Sequence, residues 1–202
     1  MKLLTFTKGN PDKHCLGALI NDKVLDLNLA SKNKLPSDML AFIYGQEEFL
    51  NIAKELIKKP DSNALYSLAE IKIKAPILTP PSLKDFFAFE EHAKAGAKRR
   101  NEELPKEWYE IPAYYKGNHR AIFGPEDEIL WPYYTKKLDF ECEIACVIGK
   151  KGINIPLEDA EKYIFGYMIF NDFSARDIQK KKWHLEWDQG KVKTLQTVLG
   201  LI

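Results

Sequence analysis

Two glutamates one residue apart, Glu141 and Glu143, stand inside the apolar run "LDFECEIACVIG", Leu138 to Gly149. Glutamate is a poor strand former and is costly to bury. Side chains of a strand alternate between its faces. Phe140, Cys142, Ile144, Cys146 and Ile148 therefore share one face, and Glu141, Glu143, Ala145 and Val147 the other. The glutamate face turns apolar at Ala145, so the pattern predicts a strand buried on both faces with two carboxylates at one end. Like charges about 7 Å apart in a partly buried site repel unless something compensates. A divalent cation is the simplest compensation. The alternative is a half-exposed strand whose glutamates face water.

A third acid lies downstream. "FGYMIFNDFSARD" runs a buried strand into Asn171 and Asp172. Asp172 is expected where that strand ends and a helix begins, either as a helix N-cap or as a ligand. Three oxygen donors, two from one strand and one from a neighbouring strand end, suit Mg²⁺, Mn²⁺ or Ca²⁺. Zinc fits less well, because no Cys or His lies at ligand spacing.

These residues need a scaffold, and 202 residues suffice for one large or two small domains. Residues 1–30 read as short strands, "KLLTFTK", "LGALIN" and "KVLDLN", separated by turn-rich "GNPDKH" and "NDK". From about Ser37 to Lys58, apolar residues recur at helical spacing. "IKIKAPIL" alternates like a strand until a proline interrupts it. "TPPS" at 79–82 reads as a linker, dividing a small N-terminal domain (1–78) from a larger one (79–202). Beyond it, "FAFEEHAKAGAKRRNEE" reads as a helix with a basic end, and the aromatic stretch 106–132 as short strands and functional loops. "PLEDAEKYI" reads as a short helix with acids in its first turn, and "NDFSARDIQKKK" as the opening of another.

Composition excludes several classes. Net charge is +1, from 30 basic and 29 acidic residues, which argues against a dedicated nucleic-acid binder. The runs Lys98-Arg99-Arg100 and Lys180-Lys181-Lys182 read as solvated helix faces. Cys15, Cys142 and Cys146 lack Cys-x-x-Cys spacing and are expected as small core residues in a reducing cytoplasm. "MKLLTFTKGN" lacks a signal-peptide core, and no window approaches about 18 uninterrupted apolar residues, so no membrane span is expected.

"DFECEIACVIGKKGINIPLEDAEKYIFGYMIFNDFSARDIQ" closely resembles the fumarylacetoacetate hydrolase family. The Glu-x-Glu strand, the downstream Asn-Asp-x-Ser-Ala-Arg-Asp and the spacing between them carry the likeness. "DFFAFEEHAKAGAKRR" is similar to the family's segment with an Asp and, seven residues later, a His. "PAYYKGNHRAIFGP" is similar to its substrate loop. The likeness covers roughly Thr79 to Gln179. It implies an α+β, mainly β fold: the family's mixed β-roll, here incomplete, with a small N-terminal α/β domain.

The resemblance implies that Glu141, Glu143 and Asp172 are metal ligands, with Asp85 an additional acidic ligand of some members. Mg²⁺ is the expected ion, with Mn²⁺ or Ca²⁺ as alternatives. His92 matches the general base that activates water, and Tyr115, Arg176 and Gln179 match substrate-contacting positions. Phe87 stands where some members have tyrosine, which removes a hydroxyl contact. The plain alternatives are a surface histidine, loop packing for Tyr115 and a helix-surface ion pair for Arg176. His14 belongs to no constellation; His119 lies near the substrate loop.

The implied activity is hydrolysis of a carbon–carbon bond in a diketo acid or acylpyruvate. Related members isomerise, decarboxylate or hydrate similar 2-oxo acids. The implied protein is a cytoplasmic homodimer with a small-molecule partner and no nucleic acid or membrane. A binding module that uses the acidic strand as a surface is the non-enzymatic rival.

The tail departs from the family. Members continue past the Ser-Ala-Arg-Asp helix into a Gly-Pro loop, a Gly/Ser-Lys-Asp-Phe-Ala segment with an active-site lysine, and Ser-Leu-Gly-Pro. Here the chain reads "LEWDQGKVKTLQTVLGLI". One permitted back-translation, with a single G restored after the Leu185 codon, reads "LGMGPGQSKDFANSLGPY", the family pattern throughout. Glu186 to Ile202 is therefore read as a frameshifted tail, which raises the rival of an inactive truncated remnant. Lys191 and Lys193 belong to the altered frame and are assigned no role. Resequencing the gene across the His184 codon is expected to recover one base; an intact frame overturns this reading.

Overall fold

The computed structural model describes residues 1–183 and 195–201, with 182, 183 and 195–201 described by backbone alone. The chain begins with β1 (Lys2–Lys8), β2 (Asn10–Ile20) and β3 (Lys23–Asp26). Next come helices α1 (Leu27–Ala30), α2 (Met39–Tyr44) and α3 (Gln46–Lys58), then β4 (Leu65–Ser67) and β5 (Lys72–Lys74). The five strands form one sheet of order β4-β3-β2-β1-β5, antiparallel throughout.

Three local expectations change. "GNPDKH" is not a loop: β2 runs through it, and the turn contracts to Gly9, whose φ of 71° suits glycine. The register jumps from Thr7↔His14 to Lys8↔Asn10, so Pro11 falls in a bulge where its missing N–H costs no ladder bond. "KVLDLN" ends as a strand at Asp26, whose carboxylate accepts from Leu29 N and caps α1. The helix expected from 37 to 58 breaks at Gly45, where an added Cβ would lie 1.9 Å from Phe49 Cδ2. Gln46 follows at φ 51°, and its side-chain amide donates to Gly149 O.

Leu3, Leu16, Leu25, Leu27, Leu35 and Phe42 form the N-terminal core between sheet and helices. Val147 and Phe165 from the second half of the chain pack against it, Phe165 edge-on to Phe42 at 6.3 Å.

The second half contains β6 (Lys84–Phe86), α4 (Glu90–Arg99), α5 (Glu107–Glu110), β7 (Tyr114–Lys116) and β8 (Ile122–Phe123). It continues with β9 (Leu138–Ile148), β10 (Ile164–Ala175), α6 (Arg176–Trp183) and β11 (Leu195–Leu201). β6 and β7 pair as a small antiparallel sheet. The main sheet has the order β8-β11-β10-β9, with only β8 and β11 parallel. "PLEDAEKYI" forms a 3-10 turn, Leu157–Tyr163. Residues 184–194 and 202 lie outside the described residues; with them go His184, Lys191, Lys193 and much of the segment 186–202 read above as frameshifted.

β9 is not buried on both faces. Its wholly apolar face is the open one: Phe140, Ile144 and Ile148 are 58%, 76% and 63% exposed. Tyr167 and Ile169 of β10 extend that open face. Cys142 and Cys146 are exposed too, and Cys15 is only half-buried, so none is the core residue expected. The glutamate face is the covered one. Its apolar end exists because Val147 meets the N-terminal core. No helix among the described residues is long and apolar enough to cross a membrane.

Phe42 joins the helices to β10 and is fully buried. Phe42→Ala is expected to destabilise the chain by about 3–5 kcal/mol, read as a lowered denaturant midpoint.

Candidate metal centre

The β9–β10 ladder places Glu141 opposite Asp172 and Glu143 opposite Phe170. Alternation sends Glu141, Glu143 and Asp172 to the same covered face. Asp172 does not cap α6: β10 continues to Ala175, and Asp172 is fully buried within the ladder. The β6–β7 pair supplies the fourth acid. Asp85 lies opposite Tyr115 across this pair, and the Tyr115 hydroxyl donates to Asp172 Oδ2 at 2.7 Å. One carboxylate oxygen from each of Asp85, Glu141, Glu143 and Asp172 lies within 4.8 Å of the others.

That spread fits a hard divalent cation. Oxygen ligands about 2.0–2.6 Å from such an ion cannot lie more than about 5 Å apart. The donor set, all carboxylate oxygen, matches Mg²⁺, Mn²⁺ or Ca²⁺ rather than zinc. Electrostatics agree. Burial, then the charges of Asp85 and Asp172 and a shared hydrogen bond with Glu141, push the Glu143 carboxyl from 4.5 up to about 8. A hydrogen bond between two carboxyls exists only while one holds a proton, so Glu143 answers the crowding by protonation.

Arg176 closes the cluster's other side. Its Nη1 donates to Glu141 Oε1 at 2.5 Å and to Gln179 Oε1 at 3.3 Å, and its Nε to Asp139 Oδ2 at 2.8 Å. Desolvation would lower the guanidinium, but the bonds to Glu141 and Asp139 outweigh it and hold its pKa above the usual value. The helix start is also tied down. Arg176 N donates to Lys137 O at 2.9 Å. Asp177 accepts from the buried Thr135 hydroxyl and from Lys136 N.

The structure thus brings Asp85, Glu141, Glu143, Asp172, Tyr115, Arg176 and Gln179 together. It does not bring His92 to them by any described bond. His92 is exposed on α4, edge-on to Phe87 with ring centroids 5.5 Å apart. Sequence reading missed Asp139 and Thr135. Alternation could have found Asp139, two residues before Glu141 on the same side of β9. Nothing local marks Thr135, whose partner Asp177 lies 42 residues away.

Residues 83–202 match the family described as fumarylacetoacetate (FAA) hydrolase C-terminal. The chain is 32% identical over 198 residues to a fumarylacetoacetate hydrolase domain-containing protein 2 homolog of Dictyostelium discoideum, covering 95% of this chain and 60% of that protein. It is 34% identical over 193 residues to the oxaloacetate tautomerase YisK of Bacillus subtilis, covering 87% and 61%. The chain therefore belongs to the fumarylacetoacetate hydrolase family and spans about three-fifths of these relatives' length. Among solved structures, maleylpyruvate hydrolase from Sphingobium sp. SYK-6, in complex with manganese(II) and pyruvate, superposes with a TM-score of 0.66. Identity is 17%, and the match covers 98% of this chain and 65% of that one. This likeness establishes the family's α+β fold.

Glu143 makes stability pH-dependent. Its folded pKa lies above its unfolded one, so the folded metal-free chain holds more protons between about 4.5 and 8. Its contribution is full below about 4.5 and is lost as pH rises through about 8. In EDTA, the melting temperature is expected to fall across that window, and Glu143→Gln should flatten the fall. An unchanged slope in the variant would exclude Glu143 as its source.

Proposed function

We propose that this chain is a metal-dependent enzyme that interconverts the keto and enol forms of a small 2-oxo acid. The four-carboxylate cluster, with a guanidinium and a phenol bonded into it, carries this reading. Asp85, Glu141, Glu143 and Asp172 would hold the cation, Mg²⁺ or Mn²⁺ by donor chemistry. When bound, the cation supplies Lewis-acid polarisation of the 2-oxo group. Arg176 offers the substrate carboxylate its Nη2 in a charge-assisted hydrogen bond, its Nε and Nη1 being held by Asp139, Glu141 and Gln179. Gln179 offers its amide beside it. Tyr115 holds Asp172 in orientation through its hydroxyl.

Hydrolysis of a diketo acid or acylpyruvate is the second reading. The maleylpyruvate hydrolase neighbour with bound pyruvate favours it, but at an identity that speaks to fold alone. One observation favours keto–enol chemistry. The relative at 34% identity over most of this chain is an oxaloacetate tautomerase. The proposed boundary at 78/79 falls between the last strand of the first sheet and β6. The uncharged open face of β9 and β10 supports a homodimer, and the exposed free thiols support a reducing compartment.

The test measures loss of enol-oxaloacetate absorbance with purified chain and Mg²⁺ or Mn²⁺, beside cleavage of an acylpyruvate. Ketonisation should accelerate, and EDTA, Glu141→Ala or Asp172→Ala should slow it about a hundredfold or more. Acylpyruvate cleavage without ketonisation would select hydrolysis. A melting temperature indifferent to both metals would select the remnant or binding-module reading.

A further inference from the structure

Arg176 is the residue on which recognition of a substrate carboxylate rests, yet a lone arginine beside four carboxylates would be drawn wholly into them. Asp139 gives it a second anchor. It stands at the start of β9, two residues before Glu141, so both carboxylates project to the same side. Arg176 spans the pair, with Nε on Asp139 Oδ2 at 2.8 Å and Nη1 on Glu141 Oε1. The other oxygen of Asp139 accepts from Phe140 N at 2.9 Å, which fixes the carboxylate itself. Among the described residues, Arg176 Nη2 has no hydrogen-bond acceptor.

A guanidinium is planar, and its five N–H groups point in fixed directions. Anchoring Nε and one Nη fixes the plane and thereby the direction of the other Nη. Gln179 Oε1, bonded to Nη1, adds a third contact from the helix side. The half-exposed position of Asp139 places this anchor at the mouth of the cluster rather than inside it.

We propose that Asp139 is a positioning residue: it holds the Arg176 guanidinium back from the carboxylate cluster and turns Nη2 toward an incoming 2-oxo acid carboxylate. This rests on Arg176 being the carboxylate-binding group of the proposed site. Asp139 touches neither cation nor substrate and acts through Arg176 alone.

The test uses the chain with saturating Mn²⁺ and pyruvate as the 2-oxo acid probe, with binding read by calorimetry. Asp139→Ala should weaken pyruvate about three- to tenfold, since it removes one charge-assisted bond to Arg176. Asp139→Glu should recover part of the affinity. Mn²⁺ affinity measured without pyruvate should stay within about twofold in both. In the chain loaded with diamagnetic Mg²⁺ in place of Mn²⁺, the Arg176 Nε–H resonance, assigned through its loss in Arg176→Lys, should lose its downfield position in Asp139→Ala and regain it in Asp139→Glu. A purely structural role would lower stability without this recovery. Unchanged pyruvate affinity in Asp139→Ala, or a parallel collapse of Mn²⁺ binding, overturns the proposal. Arg176→Lys separates the two claims: if it leaves pyruvate affinity intact, the carboxylate-binding role of Arg176 fails, and with it the role of Asp139.

Discussion

Four carboxylates with oxygens inside 4.8 Å of one another repel, and the structure around them is organised by that repulsion. Flexible acids would swing apart into water. Here two of them stand on one strand, a third on its ladder partner and the fourth on a small paired sheet. The long ladder between β9 and β10 resists the splaying because each backbone bond would have to break in register with its neighbours. Its far end is held by a different force. Val147 and Phe165 are packed into the N-terminal core, so hydrophobic burial at one end of the sheet supports charge crowding at the other.

Local compensation is layered. Tyr115 gives Asp172 a hydroxyl, Arg176 gives Glu141 a full charge, and Glu143 takes up a proton. A proton is the one compensation a divalent cation can replace outright, because the ion supplies positive charge where the carboxyl gives it up. Asp139 lies outside the crowded set and draws the guanidinium toward the rim. The carboxylates of this region therefore differ in work although they share a chemical type.

Much of the site was legible locally. The alternation of Glu141 and Glu143 with apolar residues already located the acids on one side of a strand, because side-chain direction in a strand is set by covalent geometry. Asp172 was recognisable as an acid at the end of an apolar run, but its burial was not, since the ladder carries on three residues past it. Asp85 and Tyr115 face each other only because β6 and β7 pair, a contact between segments with weak strand signals. The helix whose periodicity ran through Gly45 is split because Gln46 takes a left-handed backbone, φ 51°, which side-chain periodicity does not record.

Which face of β9 is covered was the point at which composition misled. The all-apolar face, Phe140 to Ile148, is the open one, and the face with the glutamates is enclosed. Sequence by itself determined the family, the alternation of the acidic strand and the residue types able to hold a cation. Those are properties of neighbouring residues and follow from bond geometry and side-chain chemistry. Only the tertiary structure decided that Arg176 bridges Asp139 and Glu141 and that Tyr115 reaches Asp172. These relations depend on which distant segment packs against which, and that is set by burial summed over the whole chain.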